Sequence, residues 1–252
     1  MIFPLDMIEP KIIFEDDNIL VVDKPSGLAV HGEGEDAGGT LVEWFLNHSP
    51  EASGIGEPRI GKDGKEIERS GVVHRLDRDT SGVMVLVKNQ ETFDHLKAAF
   101  KERRVKKEYV ALVYGEMKER WGTITRKIGR SASDWRLRSA EKGARGMLRE
   151  AVTDWECTRS GSYEGEKFSE VRLRPTTGRM HQLRVHLKYI SRPIVGDTLY
   201  APSFLERSNN LGLDRLALHA HTLSLPLLDG ETKTFTAEMP PEMVSAAQRI
   251  AQ

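Results

Sequence analysis

The side chains best equipped for chemistry are crowded into residues 74–82, His74-Arg75-Leu76-Asp77-Arg78-Asp79-Thr80-Ser81-Gly82. Two carboxylates, two guanidinium groups and an imidazole fall within one short stretch, and concentrated titratable charge is associated with functional sites. The tail Asp79-Thr80-Ser81-Gly82, taken alone, also reads as an ordinary turn. Val72-Val73 lead into the stretch and Val83-Met84-Val85-Leu86-Val87 lead out, so buried strands are expected to pin it at both ends.

Two further stretches carry polar groups in quantity. Residues 120–149 hold Arg120, Arg126, Lys127, Arg130, Arg136, Arg138, Lys142, Arg145 and Arg149, with Trp121 and Trp135 interleaved. Cations interspersed with aromatics suit a polyanion whose bases can be stacked upon, although a charged hairpin with core tryptophans has the same composition. Residues 175–187 pass from a turn, Pro175-Thr176-Thr177-Gly178, into a short helix. On it Met180, Leu183, Leu187 and Ile190 share one face, while Arg179, Gln182 and His186 share another and are expected to converge on one target. His181 and His186 are five apart, so they do not form an i, i+4 ligand pair, and no metal site is expected.

Positioning these groups requires a scaffold, and composition allows one. The chain has 252 residues, 30% charged and 38% hydrophobic, with a formal charge of −1, which is a globular composition able to bury a core. Near-neutrality leaves room for a basic groove balanced by acidic surface elsewhere. The single cysteine, Cys157, excludes an intramolecular disulfide. Met1-Ile2-Phe3-Pro4-Leu5-Asp6 lacks the features of a signal peptide and no apolar run reaches membrane-spanning length, so a cytoplasmic location away from membranes is expected.

Residues 11–14 and 19–22 read as a hairpin, and Lys24-Pro25-Ser26-Gly27 as the turn that leaves it. Thr40 and Glu43 form a capping box that starts a helix ending near residues 47–50. Residues 51–70 lack periodicity and are expected to be an exposed insertion. Within it Gly56-Glu57-Pro58-Arg59-Ile60-Gly61-Lys62 imitates a phosphate-binding loop, but Asp63 stands where a Ser or Thr belongs and no strand precedes it. Apolar spacing predicts an amphipathic helix over residues 91–103. Strands are expected over 108–115, 150–158, 168–173 and 216–221, the second and third joined by a Gly/Ser loop at 159–166. Pro240-Pro241-Glu242 is expected to cap a terminal helix. Many strands, few helices and no regular alternation predict an α+β fold with a mixed sheet.

His74-Arg75-Leu76-Asp77 with Thr80-Ser81-Gly82 resembles the signature of the RluA-type pseudouridine synthases, which isomerise uridine to pseudouridine in RNA. Asp23-Lys24-Pro25-Ser26-Gly27-Leu28-Ala29-Val30-His31, Lys107-Glu108-Tyr109, residues 177–186 and Leu218-His219-Ala220 agree with the same family in type and order. The resemblance spans residues 11–245. It implies one catalytic domain over residues 1–252, a mainly antiparallel sheet with a central cleft, and insertions at 51–70 and 120–149. Many relatives carry an N-terminal S4 RNA-binding domain, which is not expected here.

By the same resemblance Asp77 is the essential catalytic aspartate, Tyr109 stacks on the target uracil, Arg179 pairs with the Asp77 carboxylate and Leu183 packs near the base. Arg75 helps fill the space left by the flipped base. RNA contacts are expected from His74, Arg75, Arg136, Arg138, His181 and Gln182. The physical requirements agree. Isomerisation breaks an N-glycosidic bond and rejoins the uracil through carbon, which needs a carboxylate, a guanidinium to keep it ionised and a base extruded onto an aromatic. No step needs a cofactor or a metal. The expected partner is a stem-loop of ribosomal or transfer RNA, bound by a monomer. The competing expectation is a non-catalytic RNA-binding or ribosome-assembly factor on the same fold. A glycosidic hydrolase lacks a second carboxylate partner.

Overall fold

The computed structural model describes residues 9–32, 39–57, 59–60, 64, 66–67, 69–134, 137–141, 143–207 and 209–250. Met1 to Asp6, the Pro58, Gly61, Lys62 and Asp63 positions of the phosphate-loop imitation, and Trp135, Arg136 and Lys142 lie outside them.

In chain order the elements begin with β1 (Lys11–Glu15), β2 (Ile19–Lys24), α1 (Leu41–His48), β3 (Arg59–Ile60), β4 (Glu66–Ile67), β5 (Ser81–Val87), α2 (Gln90–Lys101) and β6 (Lys106–Tyr114). There follow β7 (Trp121–Thr125), β8 (Ile128–Arg130), β9 (Arg138–Ser139), β10 (Arg145–Arg149), β11 (Val152–Tyr163) and β12 (Glu166–Pro175). The chain ends through α3 (Gln182–Tyr189), α4 (Pro202–Arg207), β13 (Leu218–Pro226), β14 (Thr232–Thr236) and α5 (Pro241–Arg249). The architecture is α+β with antiparallel pairing predominant. Two compact units form, residues 1–106 with 220–238, and residues 107–219 with 239–252.

In the first unit β1 and β2 make the expected hairpin. Asp16 closes it by accepting the Asn18 and Ile19 amides at 2.8 Å. β2 pairs antiparallel with β5 from Ile19↔Val87 to Lys24↔Gly82, and β13 pairs with β14. Every residue of β5 is buried, which is why it reads as an unbroken apolar run rather than an alternation. Gly82 is required by close approach, because a Cβ there would stand 2.2 Å from the Ala220 carbonyl oxygen. α1 carries the capping box, and α2, capped by Asn89, buries Phe93, Leu96 and Ala99.

Three expectations are corrected here. Val72 makes only an isolated bridge to Leu86, so no strand leads into the charged loop. β5 begins at Ser81, so the turn is Asp77 to Thr80, closed by the Thr80 amide donating to the Asp77 carbonyl at 3.1 Å. The insertion at 51–70 is anchored at its ends, since Ala52 and Ser70 are buried and the Ser70 hydroxyl accepts the Gly54 amide.

In the second unit the strands pair antiparallel in the order β6, β12, β11, β7, which is not their order in the chain. β11 and β12 are longer than composition suggests. Ser160 pairs with Ser169, their hydroxyls 2.6 Å apart, and the turn is only Glu164-Gly165, both at positive φ. Cross-strand pairing overrides a Gly/Ser composition that reads as loop. The core gathers Leu112, Phe168, Leu173, Leu187, Ile194, Leu218 and Met243. β10, β8 and β9 form a separate small sheet within residues 120–149, seated by Ile128 on a cluster with Ala151, Val185 and Tyr200.

Candidate active site

The loop holding Asp77 is gripped by the segment that leaves β2. Lys24 is fully buried, and its ammonium donates to the carbonyls of Pro25, Leu28 and Arg78, each at 2.8 Å. The Gly27 amide donates to the same Arg78 carbonyl at 3.0 Å, and the Ser26 hydroxyl donates to the Asp79 carbonyl at 2.8 Å. Three hydrogen bonds therefore fix the backbone immediately after Asp77. Leu76, the residue before Asp77, is buried, while Asp77 is half-buried and Arg75 is exposed. A backbone held this way has little chain entropy left to lose when a ligand reaches the Asp77 side chain.

His74 is engaged within the first unit. Its Nε2 accepts the Val85 amide at 3.1 Å, so the ring proton sits on Nδ1, and the ring stacks on Phe100 at 4.8 Å. The imidazole thus ties the loop to β5 and α2, a role that residue type alone does not disclose.

In the second unit Tyr109 sits on β6 opposite Leu173 of β12, and it packs against the same apolar cluster that buries Leu183. The loop over residues 177–181 is organised by Gln182. Its Oε1 accepts from the Thr177 hydroxyl at 2.7 Å and the Arg179 amide at 3.0 Å, while its Nε2 donates to the Val152 carbonyl and Thr153 Oγ1, both at 3.0 Å. Arg179 is half-buried and its Nε donates to the Glu150 carbonyl at 3.1 Å. Its terminal nitrogens make no hydrogen bond among the described residues.

The expected convergence of Arg179, Gln182 and His186 is not found. Arg179 precedes α3, whereas Gln182 and His186 are buried against β11. His186 Nδ1 lies 2.9 Å from Thr153 Oγ1, and its Nε2 lies 3.3 Å from the Arg126 carbonyl. That carbonyl can only accept, so Nε2 carries the proton and Nδ1 accepts from the Thr153 hydroxyl. Burial pushes the His186 pKa below the ordinary imidazole value and keeps the ring neutral. Gln182, expected on the RNA, spends its whole amide holding the loop.

Tyr200 connects two of the expected RNA-binding residues. Its hydroxyl accepts the Arg138 amide at 2.9 Å and lies 2.8 Å from Nδ1 of His181, which enters α3 with left-handed backbone at φ 57°. Asp197 orients this tyrosine by accepting the Leu199 and Tyr200 amides, and Arg184 clamps Asp197 with bonds of 2.8 and 2.7 Å. Lys24, Tyr200 and the buried Arg184–Asp197 pair escaped sequence analysis as positioning groups. A cation among apolar neighbours, as Arg184 is between Leu183 and Val185, was the available signal.

The basic segment presents apolar surface beside its charge. Trp121 is 75% exposed and Met147 78%, and all of β10, including Arg145 and Arg149, faces solvent. For Trp121 the core-tryptophan alternative fails. Exposed aromatic and thioether groups among arginines can meet both the bases and the phosphates of an RNA strand.

Comparison with known proteins identifies the family. The family described as RNA pseudouridylate synthase matches residues 18–189. An uncharacterised RNA pseudouridine synthase of Synechocystis is 37% identical over 248 residues, covering 95% of this chain and 69% of that protein. Ribosomal large subunit pseudouridine synthase D of Borreliella burgdorferi is 34% identical, and that of Vibrio parahaemolyticus 32%. This chain spans 66% and 71% of their lengths, about two thirds. Among solved structures, human RNA pseudouridylate synthase domain containing 1 superposes with a TM-score of 0.71 at 28% identity, over 91% of this chain and 83% of that one. The chain belongs to the RNA pseudouridylate synthases, isomerases that convert uridine to pseudouridine within RNA.

Proposed function

We propose that the reacting group is Asp77 and that the substrate is ribosomal RNA of the large subunit. The observation that carries the first part is the clamp of Lys24, Ser26 and Gly27 on the carbonyls of Arg78 and Asp79. It leaves the Asp77 side chain as the functional group of a rigid loop. Tyr109 receives the extruded uracil by stacking, worth about 1–3 kcal/mol. Leu183 supplies an apolar wall, and Arg179, through its terminal nitrogens, is the partner of the carboxylate. Arg75, exposed beside Asp77, takes the place of the departed base. One carboxylate serves for cleavage of the N1–C1′ bond and for rejoining C1′ to C5, with the C5 proton leaving to water and N1 taking one up, so that the product is an isomer of the substrate. No cofactor or metal enters.

Supporting the choice of RNA are the names of the two synthase D relatives, which are ribosomal enzymes. The segment around Arg138, with Arg145 and Trp121, is the surface that meets the strand, together with His181. His74 and Gln182 serve binding indirectly by holding the loops. The protein works in the cytoplasm as a monomer with both units acting as one catalytic domain. No helix among the described residues is long and apolar enough to cross a membrane.

Forming the C–C bond expels the C5 hydrogen, so RNA labelled with tritium at uridine C5 reports turnover directly. Release from large-subunit ribosomal RNA, with none from transfer RNA, is the expected result. The reverse pattern contradicts the substrate assignment.

A further inference from the structure

Lys107 is a half-buried cation that the chemistry above does not use. It makes no hydrogen bond or ion pair among the described residues. Its neighbour Glu108 is on the opposite face of β6 and is already taken, accepting from Arg172 and Arg174 at 2.8 Å each. Burial alone pushes the Lys107 pKa below the usual lysine range, with no carboxylate to hold it up. An unpaired charge in this setting destabilises the RNA-free protein.

Its position is specific. Strand periodicity puts Lys107 on the face of β6 that bears Tyr109. Its Nζ lies 3.8 Å from where a Cβ would stand on Gly178, so the ammonium lies over the backbone of the loop that leads to Arg179. Gly178 is exposed and its amide makes no hydrogen bond among the described residues. A side chain at 178 would cover the ammonium, and glycine leaves it open. An ammonium lying over an exposed glycine whose amide is uncommitted brings together the donors an anion site uses.

We propose that Lys107, with the Gly178 amide, binds one phosphodiester of the substrate strand beside the nucleotide stacked on Tyr109. This inference rests on the functional reading above, because RNA is the anion such an enzyme meets. The contact is made to the backbone and carries no sequence information, so it fixes register for whichever uridine is extruded. The charge that weakens the free protein is compensated only in the complex.

The test uses the full chain with Asp77→Asn, so that binding is not followed by turnover, and a fluorescein-labelled RNA stem-loop titrated over a range of salt. Adding Lys107→Met is expected to weaken binding about tenfold at low salt and to reduce the slope of log K against log salt by about one. Lys107→Arg should restore the slope. In the RNA-free protein the thermal midpoint of the Met variant should equal or exceed that of its parent. An unchanged slope with lower kcat at saturating RNA, measured with Asp77 intact, would assign Lys107 to the chemistry and overturn the proposal. An unchanged slope with a lower thermal midpoint would make the lysine structural and overturn it equally. Failure of the isomerase reading is seen separately, as absence of tritium release from any RNA by the wild type.

Discussion

The Lys24 ammonium donates to the Arg78 carbonyl at 2.8 Å, across 54 positions of sequence and one residue beyond Asp77. A fully buried lysine spends its three N–H donors on three carbonyls, and one of these belongs to the loop that carries Asp77, the carboxylate proposed to react. On the proposed role of Asp77, stability and the geometry of the reaction meet at this one side chain. Lys24→Met keeps most of the volume but leaves the Pro25 and Leu28 carbonyls without this donor. Balanced against removal of a buried charge, the loss should be about 2–4 kcal/mol. Urea denaturation should show that loss, and kcat at a temperature where the variant is folded should fall more than RNA affinity does.

His186 gives the protein a pH dependence of known sign. Burial holds its pKa below the ordinary value of 6.5, so the unfolded chain takes up a proton more readily than the folded one. Its contribution is fully present above about pH 6.5 and is lost as pH falls toward the folded pKa. His186→Gln can still donate to the Arg126 carbonyl and accept from Thr153. Thermal melts between pH 7 and pH 5, roughly the window set by this imidazole, should show a flatter decline for the variant. A parallel decline would assign the pH dependence to other groups.

Tyr200 ties the basic segment to the entry of α3, and the tie can be cut without disturbing the ring. Tyr200→Phe leaves the Arg138 amide and the His181 Nδ1 without the hydroxyl, at a cost of about 1–2 kcal/mol. Hydrogen exchange at the Arg138 amide should accelerate. RNA affinity should drop as the segment loosens, with packing against Ile128 and Val185 retained.

Much of the architecture was legible because its causes are local. The Thr40–Glu43 capping box, the Asp16 turn and the spacing of Phe93, Leu96 and Ala99 are short-range chemistry, and all three appear where the sequence puts them. What escaped was decided by distant partners. Lys24 reads as part of a turn, and its burial is decided by partners such as the Arg78 carbonyl. Gln182 and His186 read as an outward polar face until Thr153, at least 29 positions away, takes their hydrogen bonds. Ser160 and Gly161 read as loop until β12 pairs with them. Asp77 was singled out from Asp79 by the family resemblance and not by residue type, and the clamp on the backbone that follows it was not legible at all.

The central claim is that Asp77 performs the isomerisation. It is tested most directly by chemical mapping of pseudouridine in large-subunit ribosomal RNA treated with the wild type and with Asp77→Asn. The account predicts at least one position converted by the wild type and left as uridine by the variant, which folds and binds RNA normally. Conversion of the same positions by both proteins would contradict it.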